Sequence, residues 1–190
     1  MKVVAFNGSP RKNGNTSILI NHVLSKIEEA GIESELINIA GQIKRGCTAC
    51  LKSRENLNKH CVFDDDIINE GIEKMIEAEG IIIGSPTYFA SMTAETKALI
   101  DRAGYVVKGN GNLLRRKVGV AVSVARRAGS MNVFQAINNF FFINGMIVPG
   151  SIYWNIGIGR EIGDVDSDEE GIQIMQELGT NMAWLMKKIR

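Results

Sequence analysis

Short apolar runs alternate along this chain with segments whose apolar residues recur every three or four positions. The run at residues 3–6, closed by the turn residues Asn7-Gly8, predicts a buried strand. From Leu19 to Ile27 the apolar residues follow helical spacing, which predicts a helix. The further predicted strands are residues 35–39, 80–86, 117–124 and 146–152, and the further predicted helices are residues 65–79, 94–103, 132–143 and 168–189.

Strands and helices therefore alternate through the chain, and this order predicts an α/β fold. Because parallel neighbours need crossover connections, we expect a doubly wound, five-stranded parallel sheet with helices on both faces. One domain over residues 1–190 is expected for a chain of this length. Ligands of such sheets bind outside the carboxyl ends of the strands. The loops that leave those ends are residues 7–16, 85–92 and 123–130.

The charge balance narrows the function classes. Lys and Arg number 22 against 21 Asp and Glu, which gives a net charge of +1. This balance argues against a general nucleic-acid binder and against binding to anionic membranes. The acidic run at residues 64–66 precedes a predicted helix, and we interpret it as compensation of the helix dipole rather than as a metal site.

The apolar stretches and the cysteines indicate where in the cell the protein is expected. The longest apolar stretch, within residues 140–148, is interrupted by Asn144-Gly145 and is too short to span a bilayer. The apolar run that begins at Met1 is too short for the core of a signal peptide. Three cysteines in an unexported chain are expected to stay reduced. We therefore expect a cytoplasmic protein.

The loop after the first strand combines several groups that bind anions. It joins a strand to a helix N-terminus, where unpaired backbone N–H groups and the helix dipole favour a phosphate. Its side-chain donors are Ser9, Arg11, Asn15, Thr16 and Ser17. The spacing of Gly8 and Gly14 fits neither the Walker A loop nor the G-x-G-x-x-G motif. Phosphate binding is favoured over the alternative, a polar turn that only caps the helix.

The second and third loops carry aromatic and basic side chains to the same edge. The second contains Pro86-Thr87-Tyr88-Phe89, whose adjacent aromatic residues form either a wall for a flat ring or a lid on the sheet edge. The third contains Ala125-Arg126-Arg127, whose paired arginines suit a phosphate or a ring carbonyl. Both loops follow predicted strands, so we expect them to meet the first loop.

Together the three loops resemble those of the flavodoxin-like NAD(P)H-dependent FMN reductases, over nearly the whole chain. The likeness rests on Gly8-Ser9-Pro10-Arg11 with Gly14-Asn15-Thr16, and on Gly84-Ser85-Pro86-Thr87-Tyr88-Phe89 before a helix. It implies a flavodoxin-like fold, FMN as cofactor and NAD(P)H as reductant. By position, Ser9, Arg11, Asn15, Thr16 and Ser17 would hold the phosphate, Pro86, Thr87, Tyr88 and Phe89 the ribityl chain and ring, and Ala125, Arg126 and Arg127 would complete the site.

Within that family the chain is most similar to the iron–sulfur flavoprotein branch, because Cys47-x-x-Cys50 lies in the loop after the second strand. Cluster-bearing relatives have a compact run of four thiolates that begins C-x2-C-x2-C. Here Ser53 stands in the third place and Cys61 follows after a long gap, so we expect FMN without an iron–sulfur cluster and without a metal. A zinc site that includes His60 and a redox-active pair of the first two cysteines are the alternatives.

The resemblance implies an FMN-dependent oxidoreductase in which NAD(P)H gives hydride to FMN and electrons pass to an unidentified acceptor. The flavin carries this chemistry, so no side chain is expected to be catalytic. One alternative is a flavodoxin-type electron carrier without NAD(P)H turnover, although such carriers are typically strongly acidic. A flavin- or nucleotide-binding regulator without turnover is another alternative. The aromatic second loop and Phe140-Phe141-Phe142 predict a homodimer or homotetramer.

Overall fold

The computed structural model describes residues 1–189, and its strands form a five-stranded sheet. The strands are β1 (Lys2–Asn7), β2 (Glu33–Asn38), β3 (Gly80–Pro86), β4 (Val118–Ala125) and β5 (Ile156–Ile158). Their order is β2-β1-β3-β4-β5, and each neighbouring pair is parallel. The predicted α/β fold, a flavodoxin-like doubly wound parallel sheet, is confirmed.

Helices cover both faces of the sheet. They are α1 (Asn15–Glu29), α2 (Lys52–Asn56), α3 (Ile68–Glu77), α4 (Ala94–Gly109), α5 (Ser130–Ile143) and α6 (Glu169–Lys188), with a 3₁₀ turn at Asp164–Ser167. One apolar core lies between the sheet and α1 with α6, and the other between the sheet and α3, α4 and α5. Among residues 1–189, no helix combines the length and the apolar composition that crossing a membrane requires.

The elements follow from local sequence. All of β4 and nearly all of β3 are buried, which explains why continuous apolar runs marked them. At the start of α4, Thr93 Oγ1 accepts a hydrogen bond from the N–H of Thr96 (3.3 Å) and so caps the helix. Glu169 and Glu170 lie in the first turn of α6 and two lysines in its last, which complements the helix dipole.

The prediction of a last strand at residues 146–152 is wrong. There Ile147 forms an isolated parallel bridge to Val118, at the start of β4. Pro149, two residues later, has no N–H to donate to a strand ladder. The chain rejoins β4 at β5, where Ile156 lies opposite Ser123. The segment 148–154 therefore runs outside the ladder, which resumes where the carbonyl oxygen of Asn155 accepts the N–H of Ser123 (3.0 Å), and the loop that follows the sheet begins at residue 159.

Helix boundaries also differ from the prediction. Helix α3 begins at Ile68 rather than at residue 65, because Asp66 Oδ1 accepts the N–H of Ile68 (3.3 Å) and starts the helix there. Helix α4 continues six residues beyond its predicted end, to Gly109. The short helix α2 lies within the loop after the second strand, where no helix was predicted.

Candidate functional site

The first loop is held against the ends of β1 and β3. The N–H of Gly8 donates to the carbonyl oxygen of Gly84 (2.9 Å), and Asn7 Oδ1 accepts the N–H of Ser9 (3.0 Å). A Cβ on Gly8 would lie 1.8 Å from Thr96 Oγ1, so this close approach requires glycine. The loop therefore leaves the sheet in a fixed direction and delivers the chain to the start of α1.

The first turn of α1 has the features of an anion site. Its N-cap residue, Gly14, has no side chain to accept the helix N–H groups, and the turn contains no acidic residue. Ser9 is buried in the adjoining cleft, where its Oγ accepts the N–H of Arg11 (3.2 Å). Uncapped donors and the positive end of the helix dipole together favour a bound anion.

The three predicted phosphate ligands on α1 differ in their surroundings. Asn15 tethers the loop after β5, because Nδ2 donates to the carbonyl oxygen of Glu161 and Oδ1 accepts the N–H of Gly163, both at 2.8 Å. Ser17 Oγ donates to the carbonyl oxygen of Gly14 (2.8 Å) within the helix. Thr16 is buried and lines the cleft. Asn15 and Ser17 thus have structural partners of their own, whereas Thr16 forms part of the wall.

The second loop makes a tight two-residue turn. Tyr88 and Ser91 exchange backbone hydrogen bonds of 2.8 and 2.9 Å. Phe89 and Ala90 between them both have positive φ, +49° and +58°. Left-handed backbone at two successive residues that are not glycine is strained, and such strain clusters at ligand sites. The turn holds the Phe89 ring fully exposed and leaves the Tyr88 side chain half-exposed.

The end of β4 and the loop after β5 complete the site. The N–H of Gly159 donates to the carbonyl oxygen of Ala125 (2.9 Å), and Arg11 Nη1 donates to that of Arg160 (3.0 Å). Arg160 and Arg126 are both exposed at the cleft. Sequence reasoning missed residues 159–163, because the last strand was predicted too early. The sequence signal that could have located this loop is Gly157-Ile158-Gly159. There an apolar residue lies between two glycines, and an arginine follows the second glycine.

These loops enclose a cleft of about 140 Å³ at the carboxyl edge of the sheet. Its lining residues are Ser9, Arg11, Asn15, Thr16, Pro86, Thr87, Tyr88, Val124, Ala125, Arg126, Gly159 and Arg160. The structure thus brings together nine of the twelve predicted site residues and adds Val124, Gly159 and Arg160. Ser17, Phe89 and Arg127 lie outside this lining. Because the lining residues are all neutral or basic, the cleft favours an anionic ligand.

A larger, mostly apolar groove lies away from these loops. It has a volume of about 640 Å³ and lies between α5 and the segment 148–155. Phe142, Ile152, Tyr153 and Trp154 border it and are all about half-exposed or more. Phe140 and Phe141, which sequence reasoning grouped with Phe142, are instead buried in the core. An exposed apolar patch of this kind is typical of an interaction surface.

The three cysteines also come together. Cys47, Cys50 and Cys61 are free thiols, and all three line one small cavity with Ser53 beside α4. The long gap before Cys61 therefore does not separate it from the first two. His60 Nε2 is instead hydrogen-bonded to Glu73 Oε1 (2.8 Å) and does not line this cavity.

Comparison with known proteins gives one family and a consistent fold. The family model described as NADPH-dependent FMN reductase matches residues 1–161. An iron–sulfur flavoprotein of Methanocaldococcus jannaschii is 39% identical over all of both chains. Another from Methanosarcina thermophila is 32% identical over 100% of this chain and 97% of that protein. The solved structure of a flavodoxin, WrbA-like protein from Agrobacterium tumefaciens superposes with a TM-score of 0.70 at 14% identity, covering 100% and 98% of the two chains.

Proposed function

This chain belongs to the NADPH-dependent FMN reductase family and binds FMN, and we propose that it accepts hydride from NAD(P)H and passes the electrons to an acceptor. Family membership makes the chain an FMN-binding oxidoreductase or electron carrier. The NAD(P)H step is our proposal. Bound FMN would supply the redox chemistry, while the protein supplies binding, orientation and electrostatics.

The observation that carries the proposal is the cleft at the carboxyl edge, with an anion site at one end and an aromatic turn at the other. We assign the FMN phosphate to the first turn of α1, with Ser9, Arg11 and Thr16 as side-chain donors. Asn15 and Ser17 stabilise the backbone around this phosphate site through their hydrogen bonds to the loop after β5 and to Gly14. Arg11 contributes a planar, always charged guanidinium, which suits a phosphate.

We assign the ribityl chain and ring to the second and third loops. The residues concerned are Pro86, Thr87, Tyr88, Phe89, Ala125, Arg126 and Arg127. Tyr88 lines the cleft, and the exposed ring of Phe89 offers a flat apolar face at its rim. The backbone of Thr87 is fixed because its N–H donates to the carbonyl oxygen of Val124 (2.7 Å). We assign no acid or base, because hydride transfer to a flavin does not require one.

We also propose a homodimer or homotetramer. The groove bordered by Phe142, Ile152, Tyr153 and Trp154 exposes more large apolar side chains than a monomer typically leaves in one place. Light scattering of the FMN-loaded protein at micromolar concentration is expected to give at least twice the monomer mass. A monomer mass would contradict this. Because free thiols are typical of a reducing compartment, we place the protein in the cytoplasm.

Anaerobic mixing of the FMN-loaded protein with NADH or NADPH tests the function. We expect the oxidised flavin absorption to bleach with about one equivalent of reductant and to return when an acceptor is added. A flavin that stays oxidised with both nucleotides, yet is reduced by a chemical one-electron donor, would instead identify a flavodoxin-type carrier. Flavin bleaching without sustained NAD(P)H oxidation by any acceptor would identify a regulator.

A further inference from the structure

The cavity that collects the cysteines, which we call the cysteine pocket, is a separate feature of the fold. It holds every cysteine of the chain, Cys47, Cys50 and Cys61, together with the side chain of Ser53. Its volume is about 20 Å³, room for roughly one water molecule. Helix α4 also lines the cavity and contributes Arg102.

The spacing of these residues is that of a cluster-binding run with one member replaced. Iron–sulfur clusters are held by cysteine thiolates in runs such as C-x2-C-x2-C. Here Ser53 follows Cys50 at the interval at which Cys50 follows Cys47. Ser53 is buried and lies at the start of α2, so the local fold places it at the same cavity as the thiols. Serine and cysteine differ by a single atom, so a thiol fits the same position.

The residues present do not fit the cluster for which the relatives are named. A four-iron cluster takes four thiolates, and this chain has three. A serine hydroxyl is a hard oxygen donor in a place that selects soft sulfur. Within residues 1–189, no group of three or more His, Cys, Asp and Glu side chains is arranged to hold a metal ion. His60, which directly precedes Cys61, is hydrogen-bonded to Glu73 instead.

The loop around the pocket is held by protein groups. The guanidinium of Arg102 donates to Cys61 Sγ (3.4 Å) and to the carbonyl oxygen of Phe63 (2.9 Å), and it forms an ion pair with Asp66. Both charged side chains are almost completely buried. The Arg45 guanidinium lies over the Phe63 ring, 4.7 Å from its centroid. These contacts tie the cysteine loop to α4.

We propose that Ser53 is the residue that keeps this chain free of an iron–sulfur cluster, and that the cysteine pocket is one thiolate short of a cluster site. The substitution Ser53→Cys supplies the fourth thiolate, and the pocket, which has room for about one water molecule, widens at its exposed side, where Cys50 lies, to admit a cluster. This inference concerns metal content and stands whether or not NAD(P)H is the reductant.

The test compares wild type, Ser53→Cys and the matched control Ser53→Ala. Each is purified without oxygen with FMN bound and incubated with ferrous iron, sulfide and a thiol reductant. Iron and acid-labile sulfide are then measured per FMN. We expect about four of each in Ser53→Cys, and at least about tenfold less in the other two proteins. Adding Cys61→Ser to Ser53→Cys is expected to abolish the gain.

Two results would overturn the inference. One is a wild-type protein with stoichiometric iron and sulfide that are lost on Cys47→Ala. The other is a folded, FMN-loaded Ser53→Cys protein that takes up no more iron than Ser53→Ala does. NAD(P)H oxidation is measured on the same samples, so failure of the proposed function is recorded separately from failure of this inference.

Discussion

The cleft that we propose for FMN and the cysteine pocket are both built from loops that leave the carboxyl edge of one sheet, yet they are held in different ways. In the cleft, short loops are fixed by backbone hydrogen bonds such as that from Gly8 to Gly84. The cysteine loop is long, and a buried side chain from α4, Arg102, holds it. Loops of the first kind keep their shape by local backbone hydrogen bonds. The cysteine loop depends on side chains from distant positions, mainly Arg102 and also Asn110, which bonds Lys59 and Ser53.

Strained, left-handed backbone occurs in both regions but at different numbers of residues. In the cleft it is confined to Phe89 and Ala90, in a turn closed by two hydrogen bonds. In the cysteine loop, positive φ occurs at four residues that are not glycine: Ala49, Leu51, Leu57 and Lys59. We therefore expect the cysteine loop to be the less stable region once its cross-link, the Arg102 side chain, is removed.

Removing the Arg102 side chain is expected to have the largest effect on the stability of the protein. Arg102→Leu leaves the buried carboxylate of Asp66 without its partner, and breaking a buried ion pair from one side costs about 3–5 kcal/mol. The free energy of unfolding in urea measures the loss. The exposed Arg115→Leu is the matched control and should change that energy by less than about 0.5 kcal/mol. Equal effects of the two substitutions would contradict the role of Arg102.

In the cleft, Arg11→Ala should weaken FMN binding by about 1.5–3 kcal/mol, the contribution of a charged hydrogen bond. Riboflavin, which lacks the phosphate, should lose far less affinity. Lys12→Ala removes the same charge one residue away, outside the cleft lining, and should change both affinities little. Titrations that follow flavin fluorescence give the affinities. Equal losses of FMN and riboflavin affinity in Arg11→Ala would exclude a phosphate contact at this residue.

Acid should weaken the cysteine loop. Burial would raise the pKa of Asp66, but the Arg102 hydrogen bond and two backbone N–H groups outweigh it and hold the pKa below its usual value. The stability that this carboxylate contributes is therefore present above its unfolded pKa of about 3.9 and is lost as pH falls through the lower, folded pKa.

Comparison with Asp66→Asn isolates this contribution from those of other carboxylates. The difference in unfolding free energy between wild type and the variant should shrink as pH falls below about 4. A difference that stays constant down to that range would show that the charge of Asp66 does not stabilise the fold.

The smallest expected effect is a gain in stability. Ala90→Gly relieves a left-handed residue, which costs about 1–2 kcal/mol, while the added freedom of the unfolded chain offsets about 0.5–1 kcal/mol of this. We expect a net stabilisation of about 0.5–1 kcal/mol. Ala136→Gly, inside α5, should destabilise the protein by about the same amount. Thermal unfolding measures the change in stability of each variant relative to wild type. The two changes have opposite signs if the turn is strained, and the same sign if it is not.

The sequence predicted the parts that depend on local pattern. Buried apolar runs located β1, β3 and β4, and turn residues after them located the loops of the cleft. It misplaced the last strand, because apolar character continues through residues 146–148 while Pro149 interrupts the pairing. The neighbouring loop, with Gly159 and Arg160, was missed for that reason.

Long-range side-chain pairs were beyond the sequence. The acidic run at residues 64–66 was interpreted as compensation of the helix dipole. Asp66 does start α3, but it also pairs with Arg102, which lies 36 positions further along the chain. An arginine within a helical pattern gives no local sign that it is buried. The closure of the cysteine loop onto Cys61 therefore could not be predicted from spacing alone.

The most direct test of the central claim is a single-turnover measurement of flavin reduction with nicotinamide deuterated at C4. The FMN-loaded protein is mixed without oxygen with saturating NADH or NADPH, and with each of the two deuterated stereoisomers. We expect one isomer to reduce the flavin more slowly than the unlabelled nucleotide does, because hydride leaves from one face of a bound ring. No flavin reduction, or equal rates with all three, would contradict direct hydride transfer in this cleft.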